Sequence, residues 1–176
     1  PFLRAARQCR GAFRRCLVVG DGPLREQAAL ETEDCGQISL LGTLGNEETR
    51  RLMRQCDLLV LPSLFDGWGA VVNEALQSGM RVLCSTACGA ASLLDGRQRG
   101  GSFDPDRPES LRRALREWLD KGRLSPAERK AIAAWAEQTI SGAAAARYLV
   151  HIVHYTEGRE ENRPAAPWAP LKETAS

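Results

Sequence analysis

The sequence has no apolar run approaching the roughly 18 residues that cross a bilayer, which excludes a membrane-spanning helix. It has little net charge. Its 24 Lys and Arg stand against 22 Asp and Glu, a formal +2, too even a balance for a protein that works on nucleic-acid phosphates. No C-x-x-C pair occurs among Cys9, Cys16, Cys35, Cys56, Cys84 and Cys88, and no signal-peptide apolar core precedes them. A reduced, cytoplasmic setting is therefore expected. The third glycine of G-x-G-x-x-G is also missing, since Gly20-Asp21-Gly22-Pro23-Leu24-Arg25 ends in arginine, and this argues against a dinucleotide site. There is no initiator Met before Pro1, so the chain reads as a piece of something longer.

What is present is ordinary globular material. With 43% hydrophobic and 26% charged residues, 176 positions suit a single domain. Strand-like and helix-like segments alternate. Cys16-Leu17-Val18-Val19 stops at Gly20-Asp21-Gly22-Pro23, and a helix over 24–30 follows. Ile38-Ser39-Leu40-Leu41 stops at Gly42, and Asn46 is placed to cap a helix with Glu48 near its third position. Asp57-Leu58-Leu59-Val60-Leu61 has the unbroken apolar character of a strand buried on both faces of a parallel sheet, with a helix after it from about Gly69 to Ser78.

Arg81-Val82-Leu83-Cys84 reads as another strand, the Gly89 region as a short helix ending near Gly96, and Gly101-Ser102-Phe103 as an edge strand. Leu111, Ala114, Leu115, Trp118 and Leu119 recur at helical spacing. Two helices follow, one starting at Ser125-Pro126, the other over 142–156 with a stripe of Tyr148, Ile152 and Tyr155. Such alternation predicts a doubly wound α/β sheet, Rossmann-like, over residues 1–157, with ligands outside the carboxyl ends of its strands. Residues 158–176, rich in proline and polar side chains, are expected to be a disordered tail or to dock on a partner.

The chemistry concentrates in the stretch from Pro62 to Ala75. Asp66 and Glu74 are separated by seven residues, one in a glycine-flanked loop, the other inside the next helix, so both can reach one ligand. Gly67 and Gly69 let backbone approach a bound group, and the free N–H groups of a helix beginning near Gly69 suit a phosphate. A sugar phosphate fits: carboxylates accept hydrogen bonds from hydroxyls while the helix mouth receives the anion. Each feature has a plainer reading. Gly20 to Pro23 suits a turn, Asp66 a helix cap, Glu74 a solvated helix face and Trp68 simple packing. His151, His154 and Glu157 spread over a broad arc of a helix, so no metal site is expected. Arg4, Arg7, Arg10, Arg14 and Arg15 gather without an acid in the first 20 residues, as a solvated face or a surface for an anionic partner.

Taken in order, Gly20-Asp21-Gly22-Pro23-Leu24, Leu41-Gly42-Thr43-Leu44, Cys56 to Ser63, Asp66 to Glu74 with Ala75 and Gly79, and Ala87-Cys88-Gly89-Ala90 resemble a known pattern. It is that of the donor-binding, C-terminal domain of retaining GT-B glycosyltransferases, family 4 or group 1. The resemblance implies a UDP- or GDP-sugar donor and hexosyl transfer with retention to a glycan or lipid-linked acceptor, without metal or other cofactor. By position, Asp66 takes the catalytic place of the acid that touches the donor sugar. Glu74 takes that of the ribose-holding acid. Gly67, Trp68 and Gly69 match the loop that approaches sugar and phosphate, Gly20 and Gly22 the first glycine loop, and Leu44 and Asn46 the place of the base.

Two departures stand out. Asp66 replaces the more usual Glu and is shorter by one C–C bond, about 1.5 Å. The strand that opens the family's domain, with the Arg and Lys of its following loop, has no counterpart here, and neither has the N-terminal acceptor domain. The expectation is that this piece alone is nearly inert, and that the parent works in the cytoplasm or at the inner face of the cytoplasmic membrane. Self-association through the last helix is a further expectation. The rival reading is a non-catalytic nucleotide-binding or interaction module of Rossmann type.

Overall fold

The computed structural model describes residues 1–94 and 97–169. Helix α1, Phe2–Gln8, leads into strand β1, Cys16–Val19, and then helix α2, Arg25–Thr32. Strand β2, Ile38–Gly42, is followed by helix α3, Asn46–Met53, and strand β3, Leu58–Leu61, by helix α4, Ala70–Gln77. Strand β4, Arg81–Ser85, leads through a 3₁₀ turn at Gly89–Leu93 to strand β5, Gly100–Phe103. Three helices close the chain: α5, Pro108–Asp120; α6, Pro126–Ile140; and α7, Gly142–Thr156. Every strand pair is parallel, β1 with β2, β3 with β4 and β4 with β5. The expected α/β architecture is present, and all working loops leave from one edge.

The strands form two groups, β2-β1 and β3-β4-β5, with no hydrogen bonding between β1 and β3 among the described residues. They nevertheless rest on one apolar layer. Cys16 and Val18 of β1, Leu58 and Val60 of β3 and Leu83 of β4 all pack with Ala5, Ala6 and Cys9 near α1 and with Leu111, Leu115 and Trp118 of α5. The alternate residues, Leu59, Leu61, Val82 and Cys84, face the other way onto Val72, Ala75 and Leu76 of α4 and Ile132 and Ala136 of α6. That strict alternation is the period of two of a pleated strand.

Here the expectation for β3 needs correction. Both its faces are covered, but its four residues are only half-buried, because its edge toward β1 has no neighbouring strand. The fully buried strand is β4, flanked on both sides, all five of whose residues are buried. Even Arg81 is buried, and it is satisfied: its guanidinium donates to Gly122 O at 3.1 Å and to Glu128 Oε1 at 2.7 Å. Asn46 is likewise the first residue of α3 and not its cap. The cap is Gly45, whose N–H donates to Glu48 Oε2 at 3.3 Å, so the carboxylate three residues in satisfies the orphan amide. The predicted short helix after β4 is the 3₁₀ turn Gly89–Leu93, and its expected end at Gly96 lies outside the described residues.

Residues 158–169 contain no helix or strand, yet they are seated on the domain where a disordered tail was expected. Glu160 meets His151 at 2.8 Å, Pro164 O accepts from the Tyr148 hydroxyl at 3.4 Å, and Trp168 packs against the core and onto Trp68. Polar composition pointed to disorder, but one tryptophan supplies enough apolar surface to dock the segment. The remainder of that tail, 170–176, lies outside the described residues. Of the stripe on α7, Tyr148 and Ile152 are half-covered, and Leu149, Val150, Val153 and Tyr155 remain exposed.

Candidate functional site

Leaving β3 at its carboxyl end, the chain from Pro62 to Gly69 is fastened to the segment that leaves β4. Asp66 N–H donates to Ala87 O at 3.1 Å, and Gly89 N–H donates to Asp66 O at 3.3 Å. Asp66 and Cys88 form a parallel bridge. Trp68 O accepts twice, from Ala90 N–H at 2.7 Å and from the Cys88 thiol at 3.0 Å. The two loops approach so closely that two positions admit no side chain. Gly69 has φ of +84°, and a Cβ there would collide with Cys88 Sγ and lie 3.1 Å from Leu61 Cδ2. A Cβ on Gly89 would lie 2.5 Å from Gly67 O and 3.3 Å from Trp68 Cα. Gly67 is different. Nothing lies within 4 Å of where its Cβ would be, so no packing reason requires glycine there.

Asp66 does not cap α4. Its Oδ1 accepts from Trp68 N–H at 3.1 Å, a turn contact that shapes the loop and leaves Oδ2 unclaimed among the described residues. The cap position of α4 belongs to Gly69, which has no side chain to offer, and the first turn holds no acid. Val72 N–H turns back to Gly69 O at 2.9 Å, which leaves the Ala70 and Val71 amides of the first turn without a partner among the described residues. Glu74, in the second turn, is half-buried, and its carboxylate has no hydrogen-bond or ion-pair partner among the described residues. The Trp68 indole N–H donates to Asn73 Oδ1 at 3.0 Å, and its ring lies against Trp168, with centroids 5.6 Å apart at 59°.

The other predicted residues sit at the carboxyl ends of β1 and β2. Gly20, at φ of +125°, donates its N–H to Gly42 O at 2.8 Å. Gly22 N–H donates to Asp21 Oδ1 at 2.8 Å, and Arg25 Nη1 donates to Asp21 Oδ2 at 2.7 Å. The Gly22 amide first and the Arg25 guanidinium second hold the Asp21 carboxyl below its ordinary range. Leu44, on the loop after β2, is half-buried, and Asn46, the first residue of α3, is exposed. The geometry thus gathers Asp66, Gly67, Trp68, Gly69 and Glu74 at one place. Gly20, Gly22, Leu44 and Asn46 gather at another, on the same edge but on the other strand group.

Two contributors were given no site role from the sequence, although Gly89 lies in the Ala87-Cys88-Gly89-Ala90 motif quoted above. Gly89 and its neighbours supply the backbone that fixes the Asp66 loop, and a glycine following a buried strand was the available signal. Arg25 brings a guanidinium to the carboxyl end of β2, within 3.8 Å of where a Gly42 Cβ would lie, and only the fold reveals that. No three His, Cys, Asp or Glu side chains among the described residues are gathered to hold a metal ion. His151 and His154 instead face the same Glu160 oxygen, at 2.8 and 3.8 Å. A cavity of about 220 Å³ adjoins Trp68, lined by Asn73, Ile140, Tyr148 and Trp168. The larger one, about 710 Å³, opens at the amino end of β3 beside Asp57, Arg123 and Arg129, on the edge opposite the site.

The comparisons agree with this geometry. The model of the family described as glycosyl transferases group 1 matches residues 2–138. A sulfoquinovosyl transferase of Arabidopsis thaliana is 32% identical over 109 residues, 60% of this chain and 21% of that protein. An uncharacterized glycosyltransferase of Methanocaldococcus jannaschii is 25% identical over 109 residues, 61% of this chain and 31% of that protein. The chain thus spans a third or less of the length of these relatives. Among solved structures, Anabaena HepE in complex with UDP superposes with a TM-score of 0.68 at 20% identity, covering 88% of this chain and 44% of its own. At that identity the likeness speaks for the fold. No helix among the described residues is long and apolar enough to cross a membrane. The family match, running from α1 to the end of α6 and across both glycine loops, establishes kinship: the chain belongs to the glycosyl transferases of group 1, and its Rossmann-like fold is one half of the GT-B architecture.

Proposed function

We propose that this domain binds the nucleotide-diphosphate sugar donor of a retaining hexosyltransferase. The observation that carries the reading is the pairing of an uncapped helix mouth with two carboxylates that the protein leaves free, Asp66 Oδ2 at the loop and Glu74 half-buried in α4. Carboxylates that the protein leaves without partners and open to solvent can accept hydrogen bonds from a ligand, and sugar and ribose hydroxyls are suitable donors. Asp66 takes the hexose and Glu74 the ribose. The backbone of Gly67, Trp68 and Gly69 meets the sugar and the diphosphate, and Gly20, Gly22, Leu44 and Asn46 flank the nucleoside. Asp66, shorter than glutamate, suits a donor held closer to the loop. The UDP found with Anabaena HepE, of similar fold, is consistent with a uridine donor.

The reaction needs no metal in this reading, because cationic side chains and helix dipoles neutralise the leaving diphosphate. β1 and β3 present unpaired edges over one apolar layer, and a strand from the parent protein, carrying an Arg and a Lys in its following loop, would pair with both. The acceptor half completes the parent, which transfers hexose to a glycan or lipid-linked acceptor in the cytoplasm or at the inner face of the membrane. Calorimetric titration with UDP, GDP and NAD tests the donor reading. A nucleoside diphosphate must bind most tightly. If NAD wins, or if none binds to the parent protein, the reading is wrong and a non-catalytic module replaces it.

A further inference from the structure

We propose that Trp168 is a positioning residue that acts on Asp66 through Trp68. This rests on the reading that Asp66 faces the donor. On one side the Asp66 loop is fastened to the segment after β4, where Ala87, Gly89 and Ala90 hold it through backbone hydrogen bonds and the Cys88 thiol donates to Trp68 O. Its outer residues make little contact, Leu64 being 77% and Phe65 84% exposed. On the remaining side its contacts pass through the Trp68 ring, which is bonded to Asn73 and flanked by Trp168.

The segment that brings Trp168 there is itself tethered. Glu160 binds His151, Pro164 O accepts from Tyr148, and Pro164 and Pro167 restrict the backbone and so lower the entropy lost on ordering it. Residues 158–169 form a strap from the end of α7 to the loop. Trp68 carries the strap's ring contact into the site. Its N–H holds Asp66 Oδ1 at 3.1 Å, and its carbonyl takes the Ala90 amide and the Cys88 thiol. A shift of the Trp68 ring therefore moves the groups that orient the Asp66 carboxylate. The adjoining cavity of about 220 Å³ gives the ring somewhere to move when Trp168 is gone.

The test compares Trp168→Ala, Trp168→Leu and Trp168→Phe in the full chain, with two readouts. The first, independent of ligand, is amide exchange at Trp68 and Ala90, with Val82 and Leu83 as core controls. The second is the Kd for UDP, whose diphosphate the proposed function sets against the backbone of Gly67, Trp68 and Gly69, so that it reads the placement of the loop that carries Asp66. Alanine and leucine should each speed exchange at Trp68 and Ala90 about tenfold, leave the core amides unchanged, and weaken UDP about 2- to 10-fold, the factor associated with one aromatic pair. Phenylalanine should restore both. Leucine keeps apolar cover on the core without the ring, so it separates positioning from burial. Unchanged exchange at Trp68 and Ala90, or exchange raised equally throughout the sheet, overturns the proposal. So does faster loop exchange with UDP affinity intact, an outcome that leaves the donor reading standing. If the unaltered protein binds no UDP, the donor reading fails, and the exchange data still decide whether the strap holds the loop.

Discussion

Replacing Gly89 by alanine places one methyl group between two loops that already touch. The new Cβ would lie 2.5 Å from Gly67 O and 3.3 Å from Trp68 Cα, both backbone atoms, which cannot swing aside as a flexible side-chain end can. To reach ordinary contact the loops must part by about an ångström, and the bonds that close them are the ones from Gly89 N–H to Asp66 O and from Ala90 N–H to Trp68 O. Two such bonds contribute about 1–3 kcal/mol net, and overpacking alone costs about 1–3 kcal/mol. A loss of about 2 kcal/mol follows, lowering Tm by roughly 4–8 °C in a chain of this size. Gly67→Ala is the control, because open space surrounds that position. Its stability should stay within about 0.5 kcal/mol of the parent's while UDP binding weakens, since a side chain there intrudes only on a ligand. Thermal unfolding by circular dichroism measures both variants. A Gly89→Ala protein with unaltered Tm and UDP affinity would refute the account of how the two loops are joined.

Other expectations follow from charge and exposure. The Ser125 amide and hydroxyl, then Arg81, hold the Glu128 carboxyl below its ordinary 4.5, so this contribution to stability is present above that pH and fades as pH falls through the lowered value. Glu128→Gln should therefore flatten the acid limb of a stability profile, and an unchanged limb would refute the assignment. Burial, with Cys35 and Cys56 adding to it, pushes the Cys16 thiol from 9.0 up to about 11, so stability should decline as pH rises through that window, and Cys16→Ala should reduce the decline. On α7, Leu149 is 61% and Val150 52% exposed, and with Val153 they form an apolar face. Sedimentation should show concentration-dependent self-association that Leu149→Glu abolishes, whereas a monomer at every concentration would exclude it.

Alternation of apolar runs and glycine stops made the parallel α/β architecture legible, because β1, β2 and β3 are short, apolar and closed by Gly or Pro. The split between β1 and β3 was not legible, since pairing is a relation between distant segments and the residues of β3 look the same whether one or two neighbours flank it. The pair Asp66 and Glu74 could be read from spacing. Asp66's second task, holding Trp68 N–H, could not, because an aspartate two residues before its donor partner is compatible with cap, turn and ligand roles alike. The expectation for the tail was compositional: three prolines and many polar residues between 158 and 176 outweighed a single tryptophan. Average polarity says little when one large ring finds a partner.

The two carboxylates should separate kinetically in the parent enzyme. In the proposed function Glu74 meets the ribose, a part of the donor whose bonding changes little between ground and transition states, so its loss should raise donor KM with little effect on kcat. Glutamine matches its shape and removes a solvent-accessible charge that has no partner among the described residues, so Glu74→Gln should leave Tm unchanged while binding falls. Function without a stabilising role is what a ligand-dedicated acid predicts. Asp66 differs because it has two tasks. Asparagine in its place keeps an oxygen to accept from Trp68 N–H, so Asp66→Asn removes charge while preserving the loop, and its effect should fall on kcat, where orientation and charge at the anomeric carbon matter. Asp66→Ala also releases Trp68 N–H, and should therefore lower stability by an amount that asparagine does not, about 1 kcal/mol for one hydrogen bond. Asp66→Glu restores the usual acid of the resembled pattern, one methylene longer, and should change which hexose is accepted. Parental kinetics in both Asp66→Asn and Glu74→Gln would mean that the pair is a coincidence of spacing and that the donor binds elsewhere along the edge.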